Sequence, residues 1–180
     1  FYYNLSLLAE NYYESKNYEK ALKILTYFNS KDVFYNWYRI KKNGQIILNK
    51  KNEKHSLEYI KKEFLKIQKP NYKILFDYAN ILKNFEKYEE AIEYYNLVLN
   101  NISLNTNTHA NVLYRRGSCY ERLKNYKNSD KDLMESININ SNDPYVLNYL
   151  AYSWLERNFN LQDAINMLLK AYNKKKDGLF

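Results

Sequence analysis

Apolar side chains return along this chain at steps of three and four residues, each series broken by a short polar turn. Between Tyr2 and Tyr13, Leu5, Leu8, Ala9 and Tyr12 fall at i, i+3, i+4 and i+7, one face of an amphipathic helix. Asn17-Tyr18-Glu19-Lys20-Ala21 turns the chain into a partner helix carrying Ala21, Leu25 and Phe28. The same two-helix pattern follows with Ile40, Gly44 and Ile47, then Ser56 and Ile60, although Asn43 stands in an apolar slot. It returns as Leu75, Tyr78-Ala79 and Leu82, then Ala91, Tyr95 and Val98. A fourth instance has Leu113, Arg116-Gly117 and Tyr120, then Ser129, Leu133 and Ser136. The fifth has Leu147, Leu150-Ala151 and Trp154, then Ala164, Leu168 and Ala171. The expected architecture is all-α, about five helix pairs in one array, with units near 2–35, 37–70, 72–105, 106–143 and 144–178.

Packing explains the alternation of small and large. Where two helices cross at about 8–10 Å, small side chains must sit at the contact with larger ones around it. Gly44 would cost its helix about 0.5–1 kcal/mol relative to Ala, and close approach of the partner helix is the expected compensation. Arg116 fills a slot that is otherwise apolar, so its aliphatic stem is expected to pack while its head reaches solvent. Asp143-Pro144 reads as a helix start, Asp capping free N–H groups and Pro sacrificing none. The turn at Asn158–Leu161 is about one residue longer than its counterparts. Asn100–Thr108 is expected to form a loop or an early start to the next helix, and Gly178 to stop the last one. Ile165 and Leu169 lie on a second side of that last helix, as if for a further unit, and offer a surface for self-association. The chain begins without Met, already in the repeat pattern, which suggests a fragment of a longer array.

Composition narrows the alternatives. Three Gly and two Pro leave few helix breakers, against strands and long loops. No stretch is apolar for long enough to cross a membrane as a helix. The net charge of +8 raises the possibility of an acidic partner. Lys, Asn, Tyr, Ile and Phe share AT-rich codons, however, and Lys50-Lys51 and Lys174–Lys176 sit where helix C-termini favour cations. The balance favours solvated helix ends over an anion-binding patch. The single Cys, Cys119, excludes an internal disulfide and fits the cytosol without excluding the periplasm. On its helix it reads as a buried structural thiol. There is no Gly-rich phosphate loop, no HExxH and no paired-Cys motif. His55 and His109 are isolated, whereas a metal site needs convergent donors. Asp130 and Asp132 point to different helix faces and do not form a dyad. No enzyme activity, cofactor or metal is expected.

The repeats resemble the tetratricopeptide family over essentially the whole length, most specifically from Leu75 onward. The last unit, LNYLAYSWLERNFNLQDAINMLLKA, looks most like repeats of large bacterial members. The resemblance implies a right-handed superhelical solenoid of antiparallel helix pairs, whose first helices line a concave groove for peptides or partner proteins. In that phase the groove slots of the first two units hold Tyr3, Ser6, Glu10 and Tyr13, then Tyr38, Lys41, Gln45 and Leu48. Those of the third are Lys73, Phe76, Asn80 and Lys83. Asn111, Tyr114, Arg115 and Ser118 follow in the fourth, and Tyr145, Asn148, Tyr149 and Tyr152 in the fifth. Members that grip a C-terminal carboxylate use an ordered set of Lys, Asn and Arg, which Lys41, Asn80 and Arg115 do not reproduce. The candidate site is Lys73, Phe76, Asn80, Asn111, Tyr114, Arg115, Ser118, Tyr145, Asn148 and Tyr152, for a protein or peptide of unknown identity. Tyr carries the expectation, because it buries large area at low entropic cost and keeps a polar handle. Two alternatives remain open: a basic surface for RNA or another polyanion, and an oligomerisation or regulatory arm of a larger enzyme.

Overall fold

A computed structural model describes residues 1–28, 31–100, 105–141 and 143–176. Among them are ten helices and no strand. They are α1 (Tyr2–Glu14), α2 (Tyr18–Leu25), α3 (Val33–Lys50), α4 (Glu53–Phe64) and α5 (Tyr72–Asn84). The remainder are α6 (Tyr88–Leu99), α7 (Thr106–Arg122), α8 (Tyr126–Ile139), α9 (Pro144–Glu156) and α10 (Leu161–Lys176). The chain falls into two compact units, Phe1–Ile74 and Leu75–Phe180, and the division lies within the first turn of α5.

Local chemistry sets the helix ends. Asn17, Asn52, Asn105 and Asn125 are N-caps whose side chains accept from a backbone N–H three residues on. Asp32 and Asp143 cap α3 and α9, Asp143 accepting from Tyr145 N at 3.0 Å and Val146 N at 3.4 Å. Four hairpin turns share a C-terminal device. Lys16, Glu86, Lys124 and Asn158 take φ between 52° and 58°, and the next residue's N–H reaches back to Tyr12, Leu82, Tyr120 or Trp154 O. The longer last turn adds a second left-handed residue, Asn160, at φ 43°. The junction expected over Asn100–Thr108 falls partly outside the described residues, and α7 starts at Thr106. Gly178 lies outside them altogether.

In the first unit, Ala9 and Ala21 are fully buried between α1 and α2. Gly44 and Ser56 hold the corresponding places in α3 and α4. A Cβ on Gly44 would overlap the Ile60 side chain, and Ser56 Oγ donates to Gly44 O at 2.8 Å. Close approach therefore does accompany that glycine. Phe28, large where the pattern wants a small residue, is buried among Tyr2, Tyr35 and Tyr38 with ring centroids 5.5–5.9 Å away. Asn43 in its apolar slot donates Nδ2 to Tyr59 OH at 3.0 Å, while its buried Oδ1 finds no hydrogen-bond partner. Lys42 is buried against Glu10 at 2.8 Å and lies over the Tyr13 ring. Leu8, read from its spacing as a core residue, is instead exposed. Its counterparts Asn43 and Tyr78 are held by aromatic side chains of their own hairpins, Tyr59 and Tyr94.

In the second unit, Ala79 and Ala91, then Ala151 and Ala164, are fully buried at their crossings. Gly117 has Leu133 Cγ 3.0 Å from where its Cβ would stand. Tyr78 meets Tyr94 edge-on at 4.8 Å, joining α5 to α6. Leu133, Val146, Leu150, Ala151, Trp154 and Ala164 form one buried cluster across α8, α9 and α10. Arg116 departs from expectation, because its head does not reach solvent. Its Nε and Nη2 each donate to the Asp132 carboxylate at 2.7 Å, and its Nη1 donates to Asn96 Oδ1 at 2.7 Å. Asp132 is buried on α8, and a carboxylate there is stable only when paired and fully hydrogen-bonded. The arginine thereby ties α6, α7 and α8 together.

Candidate partner-binding face

The first helices of the hairpins in the second unit, α5, α7 and α9, supply one set of neighbouring side chains. Phe76 on α5 lies 6.0 Å from Tyr95 and beneath the Arg115 guanidinium at 5.7 Å. Asn80 accepts from Tyr95 OH at 2.7 Å. Arg115 Nε donates to Asn111 Oδ1 at 2.9 Å, which leaves its terminal nitrogens directed elsewhere. Ser118 is buried and gives its hydroxyl to Arg115 O at 2.7 Å. Tyr114 meets Tyr149 edge-on at 5.7 Å, and Tyr149 OH donates to Glu121 Oε2 at 3.1 Å. On α9, Tyr145 and Tyr152 are 69% and 58% exposed, and Asn148 is exposed between them. Lys73 is exposed but belongs to the first unit.

Four clefts open around these residues. One of about 270 Å³ is lined by Lys83, Ser118, Arg122 and Tyr149 together with Asn84, Glu86 and Tyr88. The next, about 240 Å³, shares Arg122 and Tyr149 and adds Glu121, Tyr152, Ser153 and Glu156. Tyr152 also borders a third cleft of about 420 Å³, with Pro144, Tyr145, Asn148, Leu168, Ala171 and Tyr172. Tyr145 is common to that cleft and to a fourth of about 420 Å³, which Asn111, Tyr114 and Arg115 line with Asn107 and Asp143. Arg122, Glu121 and Glu86 were absent from the groove slots read from the sequence. Arg122 sits one turn beyond Ser118 on α7, so carrying the phase one turn further would have found it.

The electrostatics of the face follow from burial. Lys83 has its pKa lowered, chiefly by burial; Cys119 opposes this, and the Arg115 and Arg122 charges each add a smaller lowering effect. Tyr114, Tyr149 and Tyr95 are all pushed above the ordinary phenol value, chiefly by burial. They therefore act as neutral donors. Burial also pushes the Cys119 thiol up to about 11, so at neutral pH it is not a thiolate nucleophile. Asp130 pairs with Arg157 at 2.7 Å and accepts from Trp154 Nε1 at 3.0 Å, whereas Asp132 holds Arg116, so the two carboxylates serve separate contacts. Among the described residues no group of three His, Cys, Asp or Glu side chains could hold a metal ion. No helix among them is long and apolar enough to cross a membrane.

Hairpins of this kind, with small residues at each crossing, define a helical-repeat protein. Residues 72–101 and 110–143 match the tetratricopeptide repeat model, so these stretches carry the repeat, and the match supports the resemblance read along the chain. The fold of the chain is that of solved solenoids. MamA 41-end from Desulfovibrio magneticus RS-1 superposes with a TM-score of 0.72 at 12% identity, over 98% of this chain and 96% of that one. A double mutant of MamA RS-1 gives 0.73 at 12% identity, over 98% and 96%. Pseudomonas aeruginosa pilF gives 0.69 at 16% identity, over 96% and 76%. At such identities the likeness is one of fold. No curated protein matches the chain in sequence.

Proposed function

We propose that the chain is a non-catalytic scaffold whose second unit binds an extended segment or a helix of a partner protein along α5, α7 and α9. The observation that carries this reading is the sharing of walls between the four clefts: Arg122 and Tyr149, then Tyr152, then Tyr145, join them into one continuous surface. Exposed tyrosines on a rigid helix are efficient contact residues, because little side-chain freedom is lost when they are covered. Tyr145, Asn148, Tyr152, Asn111 and Arg115 make the contacts, while Phe76, Asn80, Tyr114 and Ser118 hold the wall behind them. Among the described residues, Lys83, Arg115 and Arg122 have no carboxylate within ion-pair distance. An acidic side chain of the partner satisfies them.

Selection of a displayed random-peptide library on the immobilised chain tests the proposal. Selected peptides should lose binding to a Tyr145→Ala, Tyr152→Ala, Arg115→Ala variant and be enriched in Asp or Glu. Peptides that bind the variant equally well remove the face from the account. Should the library yield nothing while heparin retains the chain at low salt and releases it steeply as salt rises, the polyanion reading takes its place.

A further inference from the structure

Polar groups without a partner mark where a ligand can add bonds. In the second unit, Lys83 lies near the end of α5, and Ser118 and Arg122 stand one turn apart on α7. All three border the cleft of about 270 Å³, which Asn84 and Glu86 of the α5–α6 hairpin and Tyr149 of α9 complete. Among the described residues, neither the Lys83 ammonium nor the Arg122 guanidinium has a hydrogen-bond or ion-pair partner. Beyond burial, the Arg115 and Arg122 charges lower the Lys83 pKa, so like charges are held near one another on this face.

The hydrogen-bond inventory of the cleft selects its occupant. Ser118 gives its hydroxyl hydrogen to Arg115 O, and Tyr149 gives its own to Glu121 Oε2. What remains is the Lys83 ammonium, the Arg122 guanidinium and the Asn84 amide N–H groups, against one carboxylate, Glu86. A carboxylate from a ligand has two coplanar oxygens, and a guanidinium commonly takes both in a bidentate pair. Lys83 would then stay unanswered. A phosphate monoester carries about −1.5 to −2 charge at neutral pH and three strong acceptor oxygens. It can bond both cations at once, and its extra charge outweighs the repulsion of Glu86.

We propose that this cleft receives a phosphorylated side chain, with Lys83 and Arg122 gripping the phosphate of the partner segment. The inference rests on the peptide-binding reading of the same face. The adjoining cleft, which shares Arg122 and Tyr149, is lined by Glu121 and Glu156. Those carboxylates repel a second phosphate, so the surface suits one modified residue in a peptide rather than a continuous phosphate backbone. Tyr152 in that cleft, and Tyr145 beyond it, take the residues flanking the phosphate.

Three libraries of short peptides, randomised around a central phosphoserine, serine or glutamate, test the proposal on the immobilised full chain. The phosphoserine library should be retained more than about tenfold better than either of the others. Lys83→Gln with Arg122→Gln should abolish that advantage and leave helical circular dichroism unchanged. Glu86→Gln should raise the advantage about threefold, a gain that misfolding cannot produce. Equal retention of the three libraries overturns the proposal and leaves the peptide-binding reading standing. A phosphoserine advantage that survives the double substitution, or that Glu86→Gln does not raise, overturns it too, because the phosphate then sits elsewhere. Inorganic phosphate that displaces the peptides at equal concentration overturns it in favour of a site for the free ion. Retention of no library removes the proposal together with the reading beneath it.

Discussion

Arg116 and Asp132 show how far a single pair can alter the reading of a residue. The guanidinium spans Asp132 and Asn96, with side-chain exposures of 19% for the arginine and 3% for the aspartate. Taking one partner from such a pair leaves the other charge enclosed, at a typical cost of about 3 kcal/mol, whereas replacing both with apolar residues of similar volume is often nearly neutral. Asp132→Ala should therefore lower the urea-derived stability of the second unit by about that amount. The double change Arg116→Met with Asp132→Leu should recover most of it. A double variant as unstable as the single one would show that the pair is needed for more than the neutralisation of one charge.

At the scale of elements, the helices and their pairing were legible because period and crossing are written in residue types. Ala9 with Ala21, Ala79 with Ala91, and Ala151 with Ala164 lie where the spacing put them, and Asp143 caps α9 as its sequence implies. The cap can be tested directly. Asp143→Ala frees two backbone N–H groups and should cost about 1 kcal/mol, with faster hydrogen exchange at the start of α9 rather than along α5 or α6. Uniform acceleration across the unit would argue against a local role. What the sequence left hidden depended on a second element. Arg116 was read as reaching solvent, since nothing in its own helix announces an aspartate enclosed on the next. Leu8 has core spacing, yet it stands 38% exposed on α1. Asn80 and Ser118 hold groove slots, but bonds to Tyr95 and to Arg115 O have already committed their polar atoms. The division within α5 has no mark in composition or turn chemistry. The asparagines, which AT-rich coding could explain, also do local work, four of them capping helices.

For the whole molecule, enclosed phenols and a thiol set an alkaline limit. Tyr38 is pushed up to about 12 and Cys119 to about 11, in both cases by burial first, and Tyr78, Tyr95 and Tyr149 are raised in the same direction for the same leading reason. Each group keeps its proton longer folded than unfolded, so above the unfolded values of 9.0 for the thiol and 10.0 for the phenols the unfolded chain binds fewer protons. Stability is thus fully present below about pH 9 and falls as pH rises toward the folded values. Denaturation midpoints should hold level up to about pH 9 and then drop, together with the appearance of tyrosinate absorbance. A midpoint unchanged at pH 11 would contradict the burial of these rings. The hairpin turns carry a different consequence. Lys16, Glu86 and Lys124 adopt a backbone shape that costs an L-residue roughly 1 kcal/mol, and glycine would hold it freely, less what its looser unfolded chain gives back. Lys16→Gly, Glu86→Gly and Lys124→Gly should each gain about 0.5 kcal/mol and together lift thermal midpoints by a few degrees. The protein thus holds unused thermal headroom at its bends, which an engineer could claim without disturbing a single packed side chain.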